Sequence, residues 1–442
     1  MHAYPLDLVD FVYELWSDPV FKERINSVAT DLPFDLPDRA LFEHILSTCY
    51  QASLMQEEER QVMLRIIIQV PESLPLEEGP PSGLHRLRFN KPRSFNEYEL
   101  HRLAPAADFY RTLIGVTIDH DNGPQIWGLI HSGTRWMQTE HGGKKTFPPL
   151  PLSLVIIVSG PGQITVCIGS ETVASLNNGQ INTPSMDIFS ARWLSESMAD
   201  IRSEMRQLHA EARAASPKTW ANLAPDFAKK LGQQVVRRII SVIRNSHHGG
   251  SLVYLPHEMG EEISGKNRYM TIKYQFCAEE PRHRFRSIML RIVNTMAELY
   301  GDPEDPDKIV GWNEYVTCQD EAIESLNEAI FDVAHFIAAL AAIDGAVVMT
   351  KRQELVGFGG VISGDIDKVE TVARAMNTEG TLTETVPSEG VGTRHRAAYR
   401  LCNELHDAFA IVVSQDGNVR LVKWHNGTVT YWDQTTTGVS GF

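Results

Sequence analysis

The sequence predicts a mixed α/β (α+β) fold, in which a C-terminal domain with a central mixed β-sheet flanked by helices follows a strand-rich domain and a linker helix. Helical and strand-like patterns alternate through the C-terminal half, as expected for such a sheet. Short β-branched runs separated by glycine, proline and asparagine fill residues 84–185, which indicates strands. Residues 190–215 contain neither glycine nor proline and are rich in alanine, glutamate and leucine, which predicts a helix.

The N-terminal half divides into three predicted segments. Residues 1–80 form an N-terminal helical segment, because apolar residues such as Leu8, Val12 and Leu15 recur at helical spacing. A strand-rich domain follows over residues 84–188, and a linker helix lies within residues 190–224. The strands predicted in this half are Leu113–Ile118, Ile126–Ile130, Leu154–Val158 and Ile164–Ile168.

Residues 225–442 form the predicted C-terminal domain. Pro225 fits the start of its first helix, and the longest helix carries an apolar stripe that we interpret as facing the core. The predicted helices are Asp226–Arg244, Arg284–Leu299 and Asp320–Ala342, and the predicted strands are Ser251–Leu255, Tyr269–Phe276, Val347–Thr350 and Ala410–Ser414.

The overall charge and the cysteines limit the classes of function. A net charge of −15 disfavours broad binding to nucleic acid, so we expect no DNA partner. The N-terminus lacks a basic signal-peptide region, and the longest apolar stretch, Phe336–Met349, is too short to span a bilayer. The five cysteines are widely separated and form no CxxC pair, so we expect them to be reduced thiols. We therefore expect a cytoplasmic protein without a membrane partner.

A first short motif, Asp344-Gly345-Ala346, lies between the longest helix and a predicted strand. An acidic side chain at such a junction can bind a divalent metal or accept a hydroxyl proton. The two small residues that follow would let a ligand approach the backbone. Taken alone, the motif also fits an ordinary Asp-Gly turn.

A second motif, Gly392-Thr393-Arg394-His395-Arg396, begins a predicted helix. A helix N-terminus offers free amide donors and a partial positive charge, and Thr393 can serve as its N-cap. Two arginines and a histidine add cations that suit phosphate oxygens. A solvated basic turn is the alternative, because Arg282-His283-Arg284 repeats the tripeptide at a place that we interpret as surface charge.

The two motifs, some fifty residues apart and followed by the strand Ala410–Ser414, resemble the diadenylate cyclase domain. That domain occurs in the DNA-integrity scanning protein and in the membrane-bound diadenylate cyclases. The resemblance is good over residues 320–433 and extends in weaker form from residue 226. The strand-rich N-terminal region resembles the sensor modules that precede such domains in some bacterial proteins.

The resemblance implies an enzyme that condenses two ATP molecules into cyclic di-AMP with Mg²⁺ or Mn²⁺, in a homodimer or higher homo-oligomer with facing domains. It assigns catalysis to Asp344, Arg394 and His395, with Asp344 also binding the metal. The segment 357–363 would supply the adenine pocket wall. The remaining residues that it implies in ATP binding are Gly345, Ala346, Val361, Ile362, Thr393, Arg396 and Ser414.

One position departs from the family pattern. The family usually has an acidic residue directly after the serine that corresponds to Ser414, and this chain has Gln415 there. Asp416 is the next residue and is a second expected metal ligand if the turn shifts by one position. The alternative is a catalytically degenerate relative that senses ATP or a cyclic dinucleotide.

Overall fold

The computed structural model describes residues 2–18, 21, 36–57, 60–74, 79, 83–109, 111–119, 123–132, 151–169, 171–177, 179–182, 188–246, 248–263, 267–363, 366–415 and 417–434. These residues form two compact units. The first contains the described residues up to 182, and the second contains residues 188–434. Both units combine helices with a large sheet, so the predicted mixed α/β class is confirmed.

The first unit is built around an eight-stranded sheet with the strand order β10-β9-β8-β7-β3-β5-β6-β4. Its helices are α1 Pro5–Ser17, α2 Arg39–Ser53 and α3 Glu97–Leu103, with 3₁₀ turns at Pro71–Ser73 and Ala104–Ala106. Its strands are β1 Gln56–Glu57, β2 Arg60–Gln61, β3 Leu64–Ile68, β4 His85–Ser94, β5 Thr112–Asp119, β6 Gly123–His131, β7 Leu154–Gly160, β8 Gln163–Ile168, β9 Glu171–Asn177 and β10 Gln180–Asn182.

The predicted helical segment over residues 1–80 is wrong in its second half. Strand β3 lies inside the sheet, parallel to β5 and antiparallel to β7. Its sequence ends in three successive isoleucines and is buried on both faces, which favours a central strand over a helix. The four strands predicted between residues 113 and 168 are confirmed as β5 to β8.

The core of the first unit lies between its sheet and helices α1 to α3. A smaller apolar cluster on the other face surrounds Trp127. Gly115 in β5 is required there, because a Cβ atom at this position would lie 2.3 Å from the Trp127 ring. The helices thus cover one face of the sheet, and the indole fills part of the other.

The second unit contains a nine-stranded mixed sheet and most of the helices. Its helices are α4 Arg192–Ser197, α5 Ala199–Ala215, α6 Phe227–Asn245, α7 Met259–Glu262, α8 Arg284–Leu299, α9 Trp312–Thr317, α10 Glu321–Leu340 and α11 Thr393–Glu404, with 3₁₀ turns at Ile188–Ser190 and Glu280–His283. Its strands are β11 Asn222–Leu223, β12 Gly250–Leu255, β13 Met270–Gln275, β14 Ile309–Val310, β15 Ala346–Thr350, β16 Leu355–Ile362, β17 Thr371–Ala375, β18 Thr383–Pro387, β19 Phe409–Val413, β20 Val419–His425 and β21 Thr428–Gln434.

This sheet has the strand order β13-β16-β15-β12-β19-β20-β21-β17-β18. It is mixed, since β12 runs parallel to β15 and antiparallel to β19. Helix α11 packs on one face through Ala398, Leu401 and Cys402, and α6, α8 and α10 pack together on the other. The helices and strands that the sequence predicts in this half are confirmed within one or two residues.

The segment predicted as a linker helix folds as α4 and α5 and belongs to the second unit. Helix α5 buries Ile201, Met205 and His209, and it packs against α8. Among the described residues, no helix has the length and apolar character needed to cross a bilayer.

The prediction of surface charge at residues 282–284 is wrong for its first member. Arg282 is 7% exposed, and its Nη2 lies 3.1 Å from Oε1 of the buried Glu354. Only Arg284 of this tripeptide is exposed. An arginine paired with a carboxylate some seventy residues away can be buried, and local sequence does not reveal that partner.

Candidate functional site

The acidic motif and the strand that follows the basic motif come together at one end of the second sheet. Leu252 of β12 is flanked by Val347 of β15 and by Ile411 of β19. Asp344 lies three residues before Val347, and Ser414 lies three residues after Ile411, so both occur at the end where β12 begins. One strand separates β15 from β19, which corresponds to roughly 10 Å. A single elongated ligand can therefore reach both segments.

Two glycines at the start of β12 permit this arrangement. Gly249 has a φ of 64°, and a Cβ atom on it would lie 2.8 Å from the carbonyl oxygen of Val413. A Cβ atom on Gly250 would lie 2.9 Å from the Cβ of Ala341, just before the acidic motif. The glycine pair therefore lets the end of β19 and the end of α10 pack closely on β12.

The acidic motif is only partly accessible. Asp344 is exposed, and Ala346 is 6% exposed because it packs into the core beneath α11. Gly345 has a φ of 117°, and a Cβ atom on it would lie 2.6 Å from the carbonyl carbon of Gly359. The expectation that Gly345 leaves room for a ligand is thus corrected, since the backbone of β16 fills that space.

A cleft of about 480 Å³ opens beside the second motif. Its walls are the beginning of α11, the end of β19, the following turn, and one side chain of β20. Its lining residues are Val391, Gly392, Thr393, Arg394, His395, Val412, Val413, Ser414, Gln415, Asn418 and Arg420. The cleft lies on the face of the sheet that α11 covers.

The helix start provides backbone donors at this cleft. The N-cap is Gly392 in an extended conformation, so the prediction of Thr393 as the N-cap is wrong. Thr393 is instead the first helical residue. The amides of His395 and Arg396 donate to the Gly392 carbonyl at 3.1 and 3.3 Å. The amides of Thr393 and Arg394 come before the first of these hydrogen bonds along the helix. They lie at the position where helix N-termini bind anions.

The cleft is positively charged, although the chain as a whole is acidic. Arg394 lines it, whereas Arg396 is exposed and lies outside the lining. Arg420 was not predicted from the sequence and contributes a second cation. Its Nε donates to Oδ1 of Asp433 at 2.6 Å, and the other oxygen of Asp433 lies 3.3 Å from Nε of Arg374. Two arginines thus share one carboxylate, which leaves excess positive charge at the wall.

His395 differs from its predicted role as a cation. It is 8% exposed, and its pKa is lowered to about 4 by burial and then by the charge of Arg420. Its imidazole is therefore neutral at neutral pH. A neutral ring can donate one hydrogen bond and accept another, but it adds no positive charge for a phosphate.

The turn after β19 forms the floor of the cleft. The Ser414 hydroxyl accepts a hydrogen bond from the amide of Asn418 at 3.1 Å, which closes the turn. Gln415 is exposed and lines the cleft. Asp416, the second expected metal ligand, lies outside the described residues.

The predicted adenine wall is split between the two faces of β16. Ile362 pairs with Met270 and packs against the core cluster that contains α11. Val361 lies on the opposite face and is 43% exposed, so its placement does not suit a contact in the cleft. Arg400 of α11 donates to the carbonyl of Ser363 at 2.8 Å and so holds this end of β16 near the helix.

A divalent cation at this site would be coordinated largely by a bound nucleotide and less by the protein. No group of three or more histidine, cysteine or acidic side chains that could bind a metal occurs in the part of the chain that the structure describes. Mg²⁺ is commonly bound by one or two carboxylates together with substrate phosphates and water. The exposed carboxylate of Asp344 fits that mode, with most ligands coming from a nucleotide.

Comparison with known proteins identifies the N-terminal region. The family model described as "Probable sensor domain DACNV" matches residues 33–131, less than a quarter of the chain. No curated protein and no solved structure gives a match. The chain therefore carries a probable sensor domain in its first unit, which fits the sensor expected there from the sequence.

Proposed function

We propose that this chain is a diadenylate cyclase, in which the second unit condenses two ATP molecules into cyclic di-AMP and the N-terminal sensor domain regulates the reaction. The proposal rests on one observation: the acidic motif lies at the same end of one sheet as the turn after β19, and that turn lines a cleft together with the basic helix start. The match of residues 33–131 to a probable sensor domain supports a regulatory role for the first unit.

ATP would bind with its triphosphate at the start of α11. The amides of Thr393 and Arg394 would donate to phosphate oxygens, and the side chains of Arg394 and Arg420 would supply positive charge. Asp344, roughly two strand spacings away, would face the ribose. His395, being neutral, would orient a phosphate through a hydrogen bond instead of neutralising its charge.

The reaction needs two nucleotides held opposite each other. The 3′-oxygen of one ATP bonds to the α-phosphorus of the other, the bond from that phosphorus to the β-phosphate oxygen breaks, and pyrophosphate leaves. Asp344 would accept the proton of the attacking hydroxyl. A bound Mg²⁺ or Mn²⁺ would reduce the negative charge of the phosphates. Two such steps close the ring, so a two-fold dimer with facing clefts is the natural assembly.

Arg396 has a distinct role in this arrangement. It follows the cleft residues on α11 but is exposed outside the lining. In a facing dimer it would be available to the phosphates of the nucleotide that the other subunit holds. This assignment keeps the predicted phosphate role of Arg396 and moves it to the second ATP.

Product analysis tests the activity. Purified full-length chain is incubated with ATP and Mg²⁺ or Mn²⁺, and cyclic di-AMP is measured by mass spectrometry. Asp344→Asn should lower the rate by roughly 100-fold or more, because it removes the proton acceptor. Arg394→Met should also lower it strongly, whereas Arg284→Met, an exposed arginine of the other Arg-His-Arg tripeptide, serves as the matched control. Absence of product from folded, self-associated wild type contradicts the proposal.

A catalytically degenerate sensor of ATP or a cyclic dinucleotide is the second candidate. It is favoured by Gln415, which lines the cleft at the position where the family usually has an acidic residue. Calorimetry separates the two functions: nucleotide binding without turnover supports the sensor, and no binding eliminates both. A gain of cyclic di-AMP synthesis in Gln415→Glu would identify this residue as the cause of lost turnover.

Removal of the N-terminal unit tests regulation. Because residues 188–434 form their own compact unit, a chain that starts near residue 186 should keep the cleft. The rate or the assembly state should change, and ATP binding should persist. Loss of all activity in a folded, dimeric truncation would show that the first unit takes part in the chemistry.

A further inference from the structure

A second cavity lies on the face of the second sheet opposite the cleft. Its volume is about 70 Å³, several times the roughly 10–15 Å³ that one water molecule needs. Met205 of α5, Val236 of α6 and Met289 of α8 form one side, and Phe409 and Ile411 of β19 form the other. The walls are mainly apolar, so the cavity suits the body of a small apolar molecule.

Two polar side chains with unsatisfied atoms line this apolar space. Tyr254 is fully buried, and its hydroxyl has no hydrogen-bond partner among the described residues. Gln353 is 5% exposed, and its Oε1 also has none. Gln353 adopts a φ of 61°, which is strained for a residue with a side chain. A phenolic hydroxyl and an amide oxygen are complementary to one ligand hydroxyl, which can accept from the first and donate to the second.

Two cations line the more accessible part of the same cavity. Arg202 and Lys229 are partly exposed, in contrast to the buried Tyr254. The guanidinium of Arg202 donates to the carbonyl of Ser195, and no described acidic side chain forms an ion pair with it. Burial lowers the pKa of Arg202, and the neighbouring charge of Arg206 lowers it further. An anion at this position would favour the charged guanidinium and so offset both effects.

We propose that this cavity binds a small aromatic acid that carries a phenolic hydroxyl. The hydroxyl bonds to Tyr254 and Gln353 at the buried end, and the ring packs between Met289 and Phe409. The carboxylate pairs with Arg202 at the open end. The site lies on the other face of the sheet from the cleft, and it does not rest on the proposed cyclase activity.

Calorimetry on the full-length chain tests the site with three probes of one scaffold. These are 4-hydroxyphenylacetate, phenylacetate, which lacks the hydroxyl, and 4-methylphenol, which lacks the carboxylate. We expect 4-hydroxyphenylacetate to bind roughly three- to tenfold more tightly than either of the others, since each lacks one of its two polar groups. Equal affinity for all three probes, or no binding by any, overturns the proposal.

Variants assign the binding to this cavity. Gly232→Leu should abolish binding of every probe, because Gly232 lines the cavity and a Cβ there already lies 3.4 Å from Cε of Met289. Tyr254→Phe should reduce the preference for the hydroxylated probe, because only Gln353 then bonds to the hydroxyl, and should leave the affinity for phenylacetate unchanged. Arg202→Met should weaken both acids roughly tenfold and spare 4-methylphenol. The exposed Arg192→Met, whose guanidinium pairs with Glu196 outside the cavity lining, is the matched control.

The variants also distinguish a specific site from binding elsewhere. Undiminished binding in Gly232→Leu places the probes outside the cavity and overturns the proposal. If Gly232→Leu does not fold, as judged by circular dichroism, Tyr254→Phe and Arg202→Met give the answer. Their effects must fall on different probes, and an identical loss for all three in both variants contradicts the assigned orientation.

Discussion

Acidification from pH 7 to pH 5 should destabilise the second unit through His395. Burial and the charge of Arg420 lower the pKa of His395 to about 4 in the folded chain, against 6.5 for an unperturbed histidine. The unfolded chain therefore binds a proton in a pH range where the folded chain does not. Stability from the neutral imidazole is complete above pH 6.5 and is lost as the pH falls toward 4.

The size of this effect follows from the two pKa values. Each pKa unit corresponds to about 1.4 kcal/mol, so complete protonation removes about 3 kcal/mol. Between pH 7 and pH 5 the loss is about 2 kcal/mol, because most of the titration of the unfolded state falls in that interval. His395 is 8% exposed, so solvent screens this penalty only weakly.

Urea unfolding at pH 7 and pH 5 measures the change in the free energy of unfolding. Monitoring it by hydrogen exchange of peptides from α11 and β19 restricts the measurement to the second unit. His395→Gln should remove about 2 kcal/mol of the pH dependence. The exposed His406→Gln, from the same unit, is the matched control. The reasoning is refuted if wild type and His395→Gln show the same difference between the two pH values.

Three further changes probe the packing around the site. Gly345→Ala should lower the free energy of unfolding by about 2 kcal/mol or more, because its Cβ would collide with Gly359; unaltered urea unfolding would contradict this. Arg420→Met should weaken ATP binding roughly tenfold by removing a cation from the cleft, and calorimetry showing equal affinity would exclude that role. Arg282→Met should cost about 3–5 kcal/mol by removing the arginine partner of the buried Glu354, and Glu354→Gln added to it should restore most of the loss in a thermal melt.

Much of the second unit could be predicted from sequence because its elements are long and strongly periodic. The predicted helix Arg284–Leu299 has the same bounds in the structure, and the predicted Asp320–Ala342 corresponds to Glu321–Leu340. The prediction was wrong at strand β3 because the helical spacing of residues 8–15 was taken to continue across it. A β-branched run that is buried on both faces lacks the alternation that marks a strand.

The residues of the candidate site could also be predicted only in part. Both motifs could be recognised from residue types in short segments. The register of β12 brings Asp344 and Ser414 to one end of the sheet, and Ser414 lines the cleft with the basic motif. Arg420 was missed because a single arginine in a strand has no local signal, and its place in the cleft depends on the pairing of β19 with β20. The neutral state of His395 also depends on tertiary burial.

The most direct test of the proposed function is a crystal structure of the full-length chain with 3′-deoxy-ATP and Mn²⁺, since this nucleotide binds but lacks the attacking hydroxyl. We predict triphosphate oxygens at the amides of Thr393 and Arg394, and an anomalous Mn²⁺ peak beside Asp344. A nucleotide bound away from the α11 cleft, or one that contacts the helix start while Asp344 touches neither it nor the metal, would contradict the proposal.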